Sequence, residues 1–163
     1  MKKIGVMADT HDRLPAIEEL LAKLAEKGAT MVMHAGDYCS PFSLEPFKTA
    51  GIPLLGVFGR NDGDHQSLEA TASRGFGAEI YESPHSFELG GKKILLVHEI
   101  AEVNKRSIAA HDIVLHGQSH KLEQSQRGKT LLLNPGEACG WLTGQCTAAI
   151  IDLETGEVEV ITL

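Results

Sequence analysis

Cysteine is scarce in this chain, and long apolar runs are absent. Three cysteines, Cys39, Cys139 and Cys146, stand among 163 residues, and their odd number and wide spacing argue against a disulfide framework. We expect them to be reduced thiols that serve as small buried apolar side chains. No stretch approaches the roughly 20 apolar residues of a membrane helix, and the apolar run that follows the N-terminal lysines ends at Asp9, too early for a signal peptide. These absences predict a cytoplasmic protein with no membrane partner.

Basic residues are also few relative to acidic ones. Lys and Arg number 15, Asp and Glu number 22, and the formal net charge is -7. Because nucleic acids are bound largely through their phosphates, this balance argues against a broad nucleic-acid surface, and we do not expect such a partner. Hydrophobic residues make up 42% of the chain and charged residues 23%, which excludes a disordered chain. The length predicts one domain over residues 1–163.

Apolar runs and turn residues predict an α/β chain. In the first half, buried strands over residues 2–8, 30–34 and 52–58 alternate with a helix that begins near Pro15 and a shorter one over 42–49. The second half is richer in hairpins, and its predicted elements are a weak helix at 66–73, strands at 79–81, 85–89, 93–98 and 113–116, a helix at 104–110, and three alternating strands from residue 121 onward. This order predicts two sheets packed face to face, the first of them parallel, with helices outside.

Six polar side chains follow directly after predicted strands. They are Asp9, His11, Asp37, Asn61, His98 and His120. Because parallel strands end at one edge of a sheet, we expect these groups to converge there. Carboxylates and imidazoles gathered in one place are ligands for divalent metal ions, and three histidines in separate segments make coincidence a poor explanation. His34 and His116 lie inside strand ends, so we interpret them as structural.

Five segments in a fixed order carry a family resemblance. The segments MADTHD, HAGD, FGRNDGD, LLVHE and HGQSH, with the trailing NPGEACGWLTG, resemble the small calcineurin-like metallophosphoesterases of bacteria and archaea, whose motifs are D-x-H, GD, GN-x-D, H-G and GH-x-H. The resemblance spans nearly the whole chain. It implies a four-layer αββα sandwich of two mixed sheets with the helices outside. It also implies a hydrolase that cleaves small phosphodiesters, or phosphomonoesters, with metal-activated water.

The resemblance further implies a set of metal ligands. Asp9, His11, Asp37 and His120 match the first metal site of the family. Asp37 would bridge to a second site, whose other ligands would be Asn61, His98 and Gln118. One or two divalent ions per chain are implied, with manganese first by resemblance, and iron, nickel, zinc or cobalt would accept the same nitrogen and oxygen ligands.

The second site departs from the family pattern at three positions. Arg60 stands where the asparagine of GN-x-D belongs, Gln118 where a histidine belongs, and Glu99 where a glycine usually follows His98. A guanidinium about 4 Å from a dication is repelled by roughly 8 kcal/mol at an effective dielectric of about 20, so both cannot occupy that position. Three outcomes stay open: Arg60 turns away and Asn61 supplies the ligand oxygen, one metal is bound beside Arg60, or catalysis has been lost.

Three consecutive residues are assigned catalytic roles. Arg60 would bind phosphate oxygens because its planar fork matches them, and Asn61 would serve the second ion. Asp62 would orient Arg60 or a histidine. His65 would add a substrate contact if its loop folds over the cleft.

Two functions from different classes remain open at this stage. The first is a metal-dependent phosphoesterase with a small phosphate-ester substrate. The alternative, motivated by Arg60 and Gln118, is a catalytically weakened mononuclear or metal-free binding or scaffold protein on the same fold, as the retromer subunit of this superfamily looks to be. Homo-oligomerisation is not excluded, and Trp141, the sole tryptophan, is interpreted as core packing or a subunit contact.

Overall fold

Two mixed sheets make up the centre of the structure, a computed structural model that describes residues 3–163. The strands within these residues are β1 (Lys3–Met7), β2 (Val32–His34), β3 (Leu54–Val57), β4 (Ala78–Tyr81), β5 (His85–Leu89), β6 (Lys92–Leu96), β7 (Ile113–Leu115), β8 (Leu122–Arg127), β9 (Thr130–Pro135), β10 (Thr147–Asp152) and β11 (Val158–Thr162). The helices are α1 (Leu14–Glu26), α2 (Glu45–Ala50), α3 (His65–Ala72) and α4 (Lys105–Ala109), and 3-10 turns cover Pro41–Leu44 and Ile100–Glu102.

Both sheets contain neighbouring parallel strands, whose carboxyl ends lie at one edge of each sheet. The first sheet has the order β11-β10-β1-β2-β3-β4 and the second the order β5-β6-β7-β9-β8. Strands β1 to β4 pair in parallel, as the repeated strand and helix pattern predicts, and β10 and β11 extend the sheet antiparallel to β1. In the second sheet β6, β7 and β9 are parallel, with antiparallel strands at both edges.

Three apolar clusters hold the layers together. Alternate residues of β1 point to opposite faces, so Ile4 joins the cluster between the two sheets, whereas Met7 joins the cluster under α1. Leu20 of α1 packs in that outer cluster, and Ile108 of α4 packs on the outer face of the second sheet. Because the middle of each sheet is covered on both faces, the buried positions of its central strands are mostly apolar. The predicted four-layer α/β sandwich is confirmed.

Several predicted boundaries differ from the observed ones. The predicted first strand starts at Lys2, which lies outside the described residues. From residue 121 onward the described chain has four strands rather than three, because the loop 136–146 divides the stretch before the turn at 154–156. The first of these strands, β8, is exposed along its whole length and does not alternate.

The α-helices within the described residues are short, with 13 residues in the longest. None within residues 3–163 is long and apolar enough to cross a membrane. The first helix, α1, has 13 residues, and its buried side chains lie on one face. Helix α4 begins one residue later than predicted because Asn104 caps it, accepting a hydrogen bond from the Ser107 N–H at 2.8 Å.

Candidate metal centre

The candidate site lies where strands of both sheets end. Asp9, Asp37 and Asn61 follow β1, β2 and β3 of the first sheet. His98 and His120 follow β6 and β7 of the second. Both layers of the sandwich therefore contribute polar side chains to one edge, although these residues are up to 111 positions apart along the chain, from 9 to 120.

Four of the predicted ligands form a tight cluster. Asp9, His11, Asp37 and His120 each offer a ligand atom, and these atoms lie within 4.8 Å of one another. Nε2 of His11 is 3.4 Å from Oδ2 of Asp37 and 3.9 Å from Oδ1 of Asp9. Nε2 of His120 lies 3.7 Å from the same Asp9 oxygen. Two carboxylates, both almost fully buried, and two imidazoles thus face a common point.

Unsatisfied atoms in this region test whether a cation fits. Oδ1 of Asp9, Nε2 of His11 and Nε2 of His98 are buried without a hydrogen-bond partner. A buried polar atom left unpaired costs about 1–3 kcal/mol, and more if it is charged. A cation among these atoms would satisfy them together, and mixed imidazole and carboxylate ligands suit divalent transition ions. The residues present therefore fit a divalent metal ion.

Hydrogen bonds on the outer side of two rings set their proton positions. Nδ1 of His98 lies 2.8 Å from the Ala35 carbonyl oxygen. A carbonyl only accepts, so Nδ1 carries the proton and the lone pair on Nε2 faces Oδ1 of Asp37, 3.5 Å away. Such bonds to carbonyls and carboxylates are typical of metal-ligating imidazoles.

Glu137 makes the corresponding bond to His120, a contact that no pattern in the sequence indicated. Its Oε2 accepts from Nδ1 of His120 at 2.5 Å. The same buried carboxylate accepts from the N–H of Leu142 at 3.0 Å and from the N–H and hydroxyl of Thr143 at 2.6 and 2.7 Å. Burial acts to raise the pKa of Glu137, but these hydrogen bonds outweigh it and lower the pKa to about 2. The carboxylate is therefore an ionised acceptor for His120.

The two buried aspartates and their neighbours also shift each other's pKa values. The close carboxylates of Asp37 and Asp9 raise the pKa of His11 to about 9. For Asp37, burial acts to raise the pKa, but contacts with His11 and Asn61 lower it well below its usual range. Asn61 donates from its backbone N–H to Oδ1 and from its side chain to Oδ2, both at 2.9 Å. The centre is therefore strongly attractive to positive charge.

Backbone strain is concentrated in the same loops. Non-glycine residues with a positive φ are uncommon, and each costs of order 1 kcal/mol or more. Within residues 3–163 they are Asp9, His11, Asp12, Asp37, Cys39, Gln118 and His120. All four members of the cluster belong to this set. Strain held at one site in this way is characteristic of functional sites.

Comparisons with known proteins identify the family. The sequence profile of the calcineurin-like phosphoesterase superfamily domain matches residues 1–156. The chain belongs to this superfamily. It is 31% identical over 165 residues to phosphodiesterase MJ0936 from Methanocaldococcus jannaschii, covering 99% of each chain. An archaeal phosphodiesterase structure matches with a TM-score of 0.91, 31% identity and 99% coverage of both chains. Vacuolar Protein Sorting 29 from Cryptosporidium parvum shares the fold, with a TM-score of 0.65 and 20% identity over 99% of this chain and 96% of that one.

Arg60, the main departure from the pattern of the calcineurin-like superfamily, points away from the cluster. Its guanidinium forms an ion pair with the carboxylate of Glu99, and its side chain is 65% exposed. The two substituted positions therefore neutralise each other at the rim of the site. Of the three outcomes that the sequence left open, the first required Arg60 to turn away, and the observed pair with Glu99 agrees with that part of it. That Asn61 supplies a ligand oxygen stays a prediction.

Two residues contact the site differently from the prediction. Gln118 was expected to offer its side-chain oxygen, but its observed bond to the cluster is from its backbone N–H to Oδ2 of Asp9, at 3.1 Å. Its positive φ of 72° accompanies this orientation. His65 stacks on Phe58 with ring centroids 3.7 Å apart, and its Nδ1 lies 3.3 Å from Glu82. These contacts hold its ring at the start of α3, and its contact with substrate stays a prediction.

Asp62 supports the loops, and within residues 3–163 its carboxylate is bonded to backbone N–H groups, so its expected role of orienting Arg60 or a histidine stays a prediction. Its carboxylate accepts from the backbone N–H groups of Asp37, Cys39 and Gly59 at 2.9, 2.8 and 2.7 Å. A buried carboxylate requires donors, and the turns after β2 and β3 present their N–H groups to it. Asp62 thereby ties the two loops that carry Asp37 and Asn61.

The structural interpretation of His34 is confirmed. Its Nδ1 accepts from the Gly36 N–H at 3.0 Å, so Nε2 carries the proton, and Nε2 lies 3.0 Å from the Thr10 hydroxyl. Burial lowers the pKa of His34 to about 3. His116 is also buried, and burial lowers its pKa. Both rings therefore belong to the packing beneath the site.

Proposed function

We propose that this chain hydrolyses small phosphodiesters with water activated at a divalent metal centre. The observation that carries the proposal is the cluster of Asp9, His11, Asp37 and His120, whose ligand atoms lie within 4.8 Å of one another. Membership of a phosphoesterase superfamily supports ester hydrolysis. The whole-length relative that is named a phosphodiesterase favours diesters over monoesters.

The four cluster residues would hold the first ion, and a second position would share Asp37. Oδ1 of Asp37 faces Nε2 of His98 at 3.5 Å, and the amide of Asn61 lies against the same carboxylate. A divalent ion supplies a Lewis acid that draws phosphoryl oxygens and lowers the pKa of water. Because the second position has fewer charged ligands, we expect it to bind an ion more weakly than the first. Manganese is our first expectation, and iron, nickel, zinc or cobalt would accept the same ligands.

The protein's own contribution is to fix the ligands in advance. The carboxylate of Glu137 holds a proton on Nδ1 of His120, and the Ala35 carbonyl does the same for His98. Each Nε2 lone pair is then directed into the site. Asp62 keeps the loops after β2 and β3 together. Ligands preorganised in this way lose little freedom when an ion or substrate arrives.

Arg60 is proposed to bind the phosphate of the substrate from the rim. Its planar guanidinium matches phosphate oxygens. The side chain is mostly exposed, and within residues 3–163 its ion pair is with Glu99. Exchange of that carboxylate for a phosphodiester would keep the guanidinium paired. This role does not require Arg60 to enter the second metal position.

The proposal is tested with purified protein that has been stripped of metal and supplied with Mn²⁺. Bis(p-nitrophenyl) phosphate and p-nitrophenyl phosphate serve as the diester and monoester. We expect hydrolysis that EDTA abolishes, with the diester preferred. The substitution His120→Asn should lower the rate by more than about 100-fold, since even partners of metal ligands contribute 10–100-fold.

The matched control is His85→Asn, a histidine on β5 whose ring stacks on Tyr81. It should retain the wild-type rate. Protein that holds metal yet hydrolyses neither ester would overturn the proposal and leave the scaffold alternative. Equal loss in both histidine variants would show that the effect is on folding and not on the centre.

A further inference from the structure

Two large apolar side chains are exposed beside the candidate metal centre. Trp141 is 62% exposed and Leu142 is 75% exposed. Both lie in the loop 136–146, which also presents Glu137 to His120. The interpretation of Trp141 as a core residue is therefore wrong. Adjacent exposed apolar side chains beside a polar site are candidates for a ligand-binding surface.

The indole ring of Trp141 is held in place on one side. Its Nε1–H donates to the His11 carbonyl oxygen at 3.4 Å. The guanidinium carbon of Arg13 lies 4.6 Å from the ring centroid, and Nη1 of Arg13 is fixed in turn by the Cys139 carbonyl at 2.5 Å. The cation of Arg13 thus covers one face of the ring, and the exposed surface of Trp141 is the opposite face and the edge. An aromatic surface that is already ordered costs little entropy on binding.

This ring is linked directly to the cluster. His11 binds the indole through its carbonyl oxygen, and its imidazole faces Asp37. The N–H of Leu142, the next residue, donates to Glu137, which accepts from His120. The platform and the cluster therefore share the same short loops, so a ligand whose phosphate lies at the cluster has its substituents within the neighbourhood of Trp141.

We propose that Trp141 is a stacking platform for a planar organic substituent, an aryl group or a nucleobase, of the phosphoester that this site binds. The inference rests on the proposed function. Metal ligands contact only the phosphoryl group, so preference among substituents has to come from side chains around the cluster. Stacking on an aromatic ring is tolerant of base identity and strengthens binding by about 10- to 100-fold.

A small organic group fits this surface better than a second copy of the chain. Within the loop 136–146 the large exposed apolar side chains are only these two neighbours, whereas a stable interface buries about 800 Å² per partner. Arg13 covers one face of the Trp141 ring, so a ligand would contact the opposite face. A cation on one face of an aromatic ring is compatible with stacking on the other. A planar substituent is therefore the occupant to which the proposal commits.

The test compares thymidine 5′-monophosphate with ribose 5-phosphate, which lacks the base. Binding to the full chain loaded with Zn²⁺ is followed by calorimetry. We expect the nucleotide to bind about 10- to 100-fold more tightly than the sugar phosphate. Because Trp141 is the sole tryptophan, its fluorescence reports directly, and only the nucleotide should quench it. Trp141→Ala should bring the two affinities within about threefold, and Trp141→Phe should retain most of the difference.

The control is Leu122→Ala on β8, a large apolar side chain that is 47% exposed. It should leave both affinities unchanged. Equal affinities in the wild type, or a difference that survives Trp141→Ala, would overturn the platform. Dissociation of an oligomer by Trp141→Ala in sedimentation would also overturn it, since the surface would then be an interface. Hydrolysis of bis(p-nitrophenyl) phosphate by the same preparation distinguishes failure of the platform from failure of the proposed function. Tighter binding of the nucleotide without hydrolysis supports the platform and contradicts the proposed function.

Discussion

At the scale of single residues, the site depends on side chains that touch its histidines from outside. Nδ1 of His120 is bonded to Glu137, and Nδ1 of His98 to the Ala35 carbonyl. Spacing in the sequence predicted the convergence of these histidines with Asp9 and Asp37, but not these hydrogen-bond partners. Glu137 stands in a loop after NPG, where a carboxylate is ordinarily solvated, and nothing in its neighbours signals that three backbone and side-chain donors of Leu142 and Thr143 surround it.

Replacement of Glu137 tests its role as the acceptor for His120. Glu137→Gln removes the negative charge and replaces one acceptor oxygen with a donor, so the His120 ring loses its fixed orientation. We expect Mn²⁺ affinity and diester hydrolysis to fall by about 10- to 100-fold, measured by calorimetry and by rate. Glu123→Gln, on the exposed strand β8, is the control and should change neither. Unaltered Mn²⁺ affinity in Glu137→Gln would contradict the assignment.

Replacement of Arg60 distinguishes a phosphate-binding role from competition with a metal ion. Arg60→Ala removes a charge-assisted hydrogen bond worth about 1.5 kcal/mol or more, so KM for the diester should rise about tenfold while kcat changes less. The number of Mn²⁺ ions bound per chain should stay the same, because the guanidinium already pairs with Glu99 outside the cluster. A gain of bound metal in the variant would show instead that Arg60 occupies an ion position.

At the scale of elements, the strands were predictable and the loops between them were not. Apolar runs that stop at a polar residue indicated β1, β2 and β3, and parallel pairing then placed Asp9 and Asp37 at one edge. The orientation of those side chains is set by positive φ values at non-glycine residues, for instance 65° at Asp37 and 61° at His120. Residue type alone does not signal such conformations, because tertiary contacts impose them.

The loop after β3 approaches the loop after β2 closely at Gly59, so a side chain at this position should disturb Asp37. A Cβ at this position would lie 2.3 Å from Oδ1 of Asp37 and 2.5 Å from its backbone nitrogen. Gly59→Ala therefore has to displace Asp37, and we expect loss of Mn²⁺ binding and a decrease of about 1–3 kcal/mol in the free energy of unfolding. Gly63→Ala, a position with no atom within 4 Å of the added Cβ, should bind Mn²⁺ normally. Wild-type Mn²⁺ affinity in Gly59→Ala would refute the close contact.

At the scale of the whole molecule, the site and the core are parts of one structure. The first sheet contributes Asp9 and Asp37, the second contributes His98 and His120, and one apolar cluster joins the sheets. The four-layer arrangement followed from the order of predicted elements, whereas the loop that divides the last strands did not, since β9 and β10 are separated by a segment without a repeated pattern. Stability of the sandwich and geometry of the site should therefore respond together to conditions that affect buried groups.

Acid should destabilise the fold through His34. Burial lowers its pKa from 6.5 to about 3, so below 6.5 the unfolded chain takes up a proton that the folded chain does not, and stability falls as the pH is lowered toward 3. The effect is about 1 kcal/mol per pH unit between about pH 6 and pH 5. The pKa of His11 is raised from 6.5 to about 9, so this residue changes the free energy of unfolding only above about pH 6.5.

Chemical unfolding in the presence of a chelator measures this dependence. His34→Asn keeps an acceptor for the Gly36 N–H and removes the titrating ring. The variant should be less stable at neutral pH but should show a slope between about pH 6 and pH 5 that is shallower by about one proton. Identical slopes in the two proteins would mean that His34 is not held neutral in the fold.

Titration of the metal-free protein with Mn²⁺ tests the central claim most directly, with bound ions per chain and the rate of bis(p-nitrophenyl) phosphate hydrolysis measured on the same samples. We expect at least one tightly held ion per chain and a rate that rises from background and saturates as ions fill the centre. Asp37→Asn should lose both the ion and the rate. A chain that fills with Mn²⁺ and stays at the background rate, or one that hydrolyses the diester equally well without it, would contradict the account.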